Sequence, residues 1–262
     1  TSAIIIGVTI DSINGLMHLF GVLCWMLSAF FANFWRDPDR KIPQDEGVLV
    51  SPADGHVMFV RRERATGRRP NKEELDSELI ESDKMTGPWY PEAIEKPLSF
   101  ATEQRFESVP KGEESSKDVF RIAIFMSPLD VHVNRSPCAA TIERMEHRTG
   151  QGRRRGPFLP AMKKESEHNE RVRTVLLCED DIRIEVCQIS GALARTIVPW
   201  TTVGDELRRG QRYGMIRLGS RVDVRAPAEL FTPIVESAES GNPDLPKGQF
   251  VQAGSSILFK RK

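Results

Sequence analysis

Three short stretches of this sequence carry residue types that could do chemistry. Ser51-Pro52-Ala53-Asp54-Gly55 sets a carboxylate in a Pro/Gly turn, which would hold Asp54 at one geometry. Ser127-Pro128-Leu129-Asp130-Val131-His132-Val133-Asn134-Arg135 follows directly on the apolar run Val119 to Met126. That puts His132 where a rigid strand hands over to a loop, a usual place for catalytic groups. Leu218-Gly219-Ser220-Arg221 sets a hydroxyl directly after a glycine. Each has a plainer reading when taken singly. An Asp in such a turn more often bonds its own backbone, a lone His is more often structural, and a Gly-Ser dipeptide is ordinary.

The elements around these stretches are mostly short strands. VFRIAIFM (119–126) reads as a buried strand, and VRTVLLCED and DIRIEVCQISG as two strands split by an acidic turn. GVLVSPADGHVMFVRRE alternates apolar and polar residues about its turn and predicts a β-hairpin. Only the region from Pro160 to Glu170 looks helical. The fold expected is mainly β (α+β), a multi-stranded sandwich or barrel-like body. Residues 61 to 117 are charged and proline-rich with little periodicity, which predicts a long surface insertion. The basic loop GQGRRRG (150–156) reads first as a solvated turn, with contact to anionic lipid headgroups as the sharper alternative.

Ahead of this body, Leu16 to Trp35 carries no charge and is long enough for a membrane-spanning helix. The run Ala3 to Ile10 is too short to span; it is either the remnant of a first helix, making the anchor a hairpin, or an interfacial stretch. Arg36, Arg40 and Lys41 follow the span, so the body is expected on the cytoplasmic side. The expected organisation is therefore an anchor over 1–35 and a body over 36–262.

Composition narrows the classes further. Lys plus Arg and Asp plus Glu both number 37, so no basic domain announces a nucleic-acid partner. The four cysteines form no C-x-x-C pair and no close cluster, which argues against a zinc ribbon or disulfide framework and fits reduced thiols. With no G-x-G-x-x-G, Walker loop or H-E-x-x-H helix, neither a nucleotide cofactor nor a metal is expected.

Taken in order, the stretches are far more specific. FWRDPDRKIP, VLVSPADGHV, IFMSPLDVHVNRSP, NERVRTVL, QISGALART, GDELRRGQRYGMIRLGSRVDV and KGQFVQAGSSIL run from Phe34 to Leu258. Together they resemble the phosphatidylserine decarboxylases in their compact bacterial form. The resemblance implies a precursor in which Ser220 attacks the Gly219 carbonyl and the chain is cut after residue 219. Ser220 would become a covalent pyruvoyl group, and the two chains would remain associated. Glycine suits the cleavage position because it tolerates close approach and unusual backbone angles. Asp54 and His132 occupy the family's Asp and His positions, with Asp54 orienting the imidazole and His132 activating the serine and supplying a proton in turnover. The substrate implied is phosphatidylserine in the bilayer, the products phosphatidylethanolamine and carbon dioxide, and the location an inner membrane.

The sequence departs from the longer members at one site position. They carry a second histidine three residues after the first; this chain has Arg135, which cannot act as a base. Either His132 serves both reactions or another group is the base, and Arg135 is left as a candidate for the substrate phosphate or carboxylate. The motif is also G-S-R rather than G-S-T. Two other readings stay open: a decarboxylase of archaeal-type ether lipids, and a non-catalytic adaptor built on a lipoyl-like carrier fold. Oligomeric state also stays open, a homo-oligomer being one option.

Overall fold

Strand periodicity explains most of the architecture. Along 120–126 and 221–226, even-numbered residues are apolar and odd-numbered ones include arginines and an aspartate, so one sheet face is oily and the other charged. The computed structural model describes residues 2–65, 117–148, 169–191, 196–217, 219–241, 244 and 247–262. It divides into two units, Thr1–Asp37 and Pro38–Lys262.

The first unit is a single helix, α1 (Ser2–Phe34). The short apolar run 3–10 and the span belong to this same helix. Asp11, Ser12, Asn14 and Gly15 weaken a helix only mildly, and no proline interrupts it. Within α1, Asn14–Phe34 has a mean hydropathy of 1.8 over 21 residues. At about 1.5 Å per residue it is long enough to cross a bilayer. Its large apolar side chains, among them Leu16, Phe20, Trp25 and Leu27, are exposed, which no buried core helix would show. An apolar helix of this kind fits membrane association.

The second unit is built on an antiparallel sheet of eight strands. In chain order its members are β2 (Gly55–Ala65), β3 (Lys117–Met126), β5 (Ala140–Arg148), β6 (Arg171–Leu177), β7 (Arg183–Ile189), β9 (Glu206–Leu207), β11 (Ser220–Pro227) and β13 (Phe250–Val251). They lie in the order β13-β2-β3-β11-β7-β6-β5-β9. Among the described residues, two three-stranded sheets accompany this one. One is β1 (Val48–Val50), β14 (Ile257–Arg261) and β12 (Phe231–Pro233), in that order; the other is β4 (Val133–Arg135), β10 (Arg212–Ile216) and β8 (Ile197–Pro199). The body is mainly β, as expected.

The core forms on the oily face. Ile122, Ile124 and Met126 of β3, Val222 and Val224 of β11, and Ile184 and Val186 of β7 all belong to one buried cluster. The opposite face buries charges by pairing them. Arg121 Nε donates to Asp223 at 2.8 Å, Arg221 Nε to Asp223 at 2.6 Å, and Arg225 pairs with Glu185.

Several expectations need adjusting. The hairpin about the Asp54 turn does not form: β1 pairs with β14, while β2 pairs with β3 and β13, so the turn carries the chain from one sheet to another. The alternation was real, but partners are chosen by tertiary packing. The charged stretch from Arg61 begins inside β2, which runs to Ala65 and pairs with β3 down to Lys117. Residues 66–116, the basic loop 150–156 and the helical expectation for 160–168 lie outside the described residues. Asn169 and Glu170 form a bend.

Candidate active site

The ends of four strands converge where the three sequence stretches meet. β3 ends at Met126, and a tight turn follows: Asp130 N–H donates to the Ser127 carbonyl at 3.0 Å, and Ser127 N–H to Asp130 Oδ2 at 2.7 Å. The turn delivers His132, fully buried, to the start of β4. β10 lies against β4 and returns toward the Gly219-Ser220 junction, its Ile216 N–H donating to the His132 carbonyl at 3.2 Å. Ser220 opens β11 directly opposite Met126. The register thus fixes the serine beside the thioether, and its Oγ lies 3.3 Å from the Met126 sulfur.

The state of the imidazole follows from its neighbours. His132 Nδ1 lies 2.8 Å from the Asp130 carbonyl oxygen, which can only accept, so Nδ1 carries the proton. His132 Nε2 lies 3.3 Å from the Gly219 backbone nitrogen, whose N–H can only donate. Nε2 therefore carries a lone pair, as a general base must, and turns it to the Gly219 N–H, one peptide group ahead of the Gly219-Ser220 bond. Gly219 itself sits at φ +65, a left-handed backbone that favours glycine.

The Asp54 turn is fastened to the same strand. Pro52 carbonyl accepts from Arg135 N–H at 2.9 Å and from Asn134 Nδ2 at 3.3 Å. Gly55 is required here, because a Cβ would stand 2.1 Å from the Phe125 carbonyl oxygen. Asp54 is buried, and both its oxygens are engaged: Oδ1 accepts from Ala253 N–H and Oδ2 from Arg40, each at 2.7 Å. Burial pushes its carboxyl above the ordinary value, while the Ala253 N–H and Arg40 pull the other way. The Asp130 carbonyl, at hydrogen-bond distance from His132 Nδ1, sets the tautomer through the main chain. Arg135 is buried and donates to the Gly210 carbonyl at 3.2 Å and the Pro38 carbonyl at 3.1 Å.

The structure brings His132, Gly219 and Ser220 together and places Asp54 on the neighbouring turn. Four contributors escaped the reading of the sequence: Arg40, Met126, Asn134 and Gln188. Gln188 Nε2 donates to Asn134 Oδ1 at 2.8 Å, tying β7 to β4 next to Met126. Arg40 was read as a membrane-flanking charge, yet its side chain is largely buried on Asp54. All four stand inside the ordered stretches, but only the strand register shows which of their residues touch.

Comparison with known proteins shows the family. A family profile described as phosphatidylserine decarboxylase matches residues 27–259. A phosphatidylserine decarboxylase proenzyme of Erythrobacter litoralis is 35% identical over 243 residues, covering 91% of this chain and 77% of its own. The proenzyme of Zymomonas mobilis is 34% identical, covering 91% and 73%, and that of Ruegeria pomeroyi 32% identical, covering 93% and 85%. On this evidence the chain belongs to the phosphatidylserine decarboxylase family.

Proposed function

We propose that this enzyme, a phosphatidylserine decarboxylase, is made as a precursor that cuts itself between Gly219 and Ser220 and keeps the product of Ser220 as a pyruvoyl group. The observation that carries the reading is His132 Nε2, 3.3 Å from the nitrogen of Gly219, the residue that precedes the buried Ser220. In the first step His132 takes the Ser220 hydroxyl proton as Oγ, turned away from Met126, bonds to the Gly219 carbonyl carbon. The C–N bond of the peptide breaks, the nitrogen collects a proton from His132, and an ester replaces the amide. Elimination across Cα–Cβ of the former serine then frees a chain ending at Gly219, and the dehydroalanine left at position 220 takes up water and loses ammonia to give the pyruvoyl group.

The residues fit the group they would hold. Ser220 is fully buried and heads a strand paired with β3 on one side and β7 on the other, so its position survives loss of the bond to Gly219. When formed, the group supplies an electron sink for the electrons released with carbon dioxide. The protein's part is to exclude water around Ser220 and hold His132 as the proton carrier. Asp54, fixed by Arg40 and Ala253, adds a negative charge to the same region. Arg135, spent on two carbonyls, supports the site's frame as well as offering a positive charge to the substrate phosphate or carboxylate.

Cleavage would not separate the two chains. β11 lies inside the eight-stranded sheet, β13 pairs with β2, and β14 pairs with β1, so the piece from 220 to 262 is interleaved with the larger one. The apolar helix would bring the body to the surface that holds the lipid, with Arg36 and Lys41 keeping it on the cytoplasmic face of an inner membrane. Replacing Ser220 by Ala tests the proposal: one uncut polypeptide and no release of carbon dioxide from phosphatidylserine are expected, and normal turnover by that variant would overturn it.

A further inference from the structure

Cys138 and Cys178 stand 40 residues apart in the sequence, yet their sulfurs lie 2.9 Å apart. No close cysteine cluster was expected from the spacing; the fold makes one by setting the link after β4 against the end of β6. The separation is short of a covalent S–S bond of about 2.05 Å by less than an ångström. Both backbones are tied in place. Ser136 Oγ donates to the Cys138 carbonyl at 2.7 Å, and Val50 N–H to the Pro137 carbonyl at 3.0 Å. Cys178 N–H donates to the Ile182 carbonyl at 2.8 Å, closing the turn between β6 and β7. The thiols cannot easily drift apart.

The pair is also asymmetric. Cys138 is buried in the core, whereas Cys178 is partly exposed. The hydrogen bond with Cys178, and then burial, hold the Cys138 thiol well above its ordinary pKa. Cys178 is thus the sulfur an oxidant reaches first and Cys138 the one positioned to resolve it, the arrangement of a reactive cysteine with a resolving partner. Cys24 lies on the apolar helix, and Cys187 is buried on the charged face of the sheet.

We propose that Cys138 and Cys178 form a site of reversible oxidation, closing to an intramolecular disulfide when the protein meets a peroxide. The Cys178 sulfur attacks one peroxide oxygen, the O–O bond breaks, and a sulfenic acid and one water result. The Cys138 sulfur then attacks the Cys178 sulfur, the S–O bond breaks, and a second water leaves with the remaining thiol proton. Two thiols lose two electrons in total, and one peroxide is reduced to two waters. The bond staples the strip carrying His132, Asn134 and Arg135 to the β6–β7 pair that carries Gln188. Both sulfurs lie before the proposed cut, so the staple is internal to the larger chain and independent of cleavage.

The test uses the full chain in detergent, freed of reductant, exposed to hydrogen peroxide, denatured, alkylated and digested with trypsin. The expected result is a linked pair of the peptides Ser136–Arg144 and Thr174–Arg183, at least tenfold above the unexposed sample and lost on treatment with dithiothreitol. Cys24 and Cys187 should stay alkylated, and Cys187→Ser should leave the linkage intact. In Cys178→Ser the linkage should vanish, with Cys138 recovered as alkylated thiol. Full alkylation of both cysteines after peroxide, sulfinic acid at Cys178 without linkage, or linkage mainly through Cys24 or Cys187 would each overturn the proposal.

Discussion

The His132 ring bridges two main-chain groups, with Nδ1 at 2.8 Å from the Asp130 carbonyl oxygen and Nε2 at 3.3 Å from the Gly219 nitrogen. A backbone clamp of this kind fixes both tautomer and direction. It also leaves the basic nitrogen at the Gly219 N–H, one peptide group ahead of the bond where the proposed cut occurs. His132→Gln, close in shape but without a titrating nitrogen, is therefore expected to slow both reactions. Loss of a general base costs about 10²–10⁴-fold in rate. A time course of chain cleavage on denaturing gels, followed by carbon dioxide release from phosphatidylserine vesicles, checks both.

The two glycines at the site should respond differently to alanine. At Gly219 a Cβ meets nothing within 4 Å, so only the backbone at φ +65 objects. Left-handed backbone costs a non-glycine residue about 1–2 kcal/mol, and Gly219→Ala should yield a folded protein that cleaves about tenfold more slowly. At Gly55 the Cβ would meet the Phe125 carbonyl oxygen at 2.1 Å, and Gly55→Ala should give little folded protein. Circular dichroism melts beside cleavage rates distinguish the two.

Arg40 is predicted to act on the pH profile through Asp54. Burial raises the Asp54 carboxyl, and Arg40 opposes that shift from 2.7 Å. Because the folded value lies above the ordinary one, the stability Asp54 contributes is full below its unfolded range and falls as pH rises through the folded value. Arg40→Met removes the opposing charge, so the carboxyl should stay protonated to higher pH. The acid limb of the kcat/KM profile should move upward, with the alkaline limb unchanged. An unmoved acid limb would show that the ionisation of Asp54 does not control turnover.

Asp223 should govern both acid tolerance and the association of the cleaved chains. Burial pushes its carboxyl up, but the guanidiniums of Arg121, Arg221 and Arg225 outweigh burial and hold it at about 2. Its contribution is present above the ordinary value of 3.8 and is lost as pH falls toward 2. Arg121 belongs to β3 and Asp223 to β11, so after the proposed cut the pair spans the two chains. Asp223→Asn should cost about 3–5 kcal/mol, as expected when one partner of a buried ion pair is removed. Denaturant melts at neutral pH, with gel filtration of the cleaved protein, measure the loss.

How much of this was legible in the sequence differs from residue to residue. The strands at 119–126 and 183–189 were readable because alternation is local. The triad of stretches around Asp54, His132 and Ser220 was readable from its order, and the family match sets aside the adaptor alternative. What was hidden depends on register. Nothing local says that Ser220 faces Met126, that Arg40 turns inward to Asp54, or that Cys138 meets Cys178, because each contact is made by pairing or packing between distant strands. The hairpin expected about Asp54 failed for the same reason: its two arms follow a correct period but belong to different sheets.

The mass of the purified protein tests the proposed self-cleavage most directly. Intact-mass spectrometry should show two chains, residues 1–219 and 220–262, the smaller lighter than its sequence by the difference between serine and pyruvoyl and closed to Edman sequencing. A single chain of 29.6 kDa that nevertheless decarboxylates phosphatidylserine would contradict the proposed origin of the catalytic group.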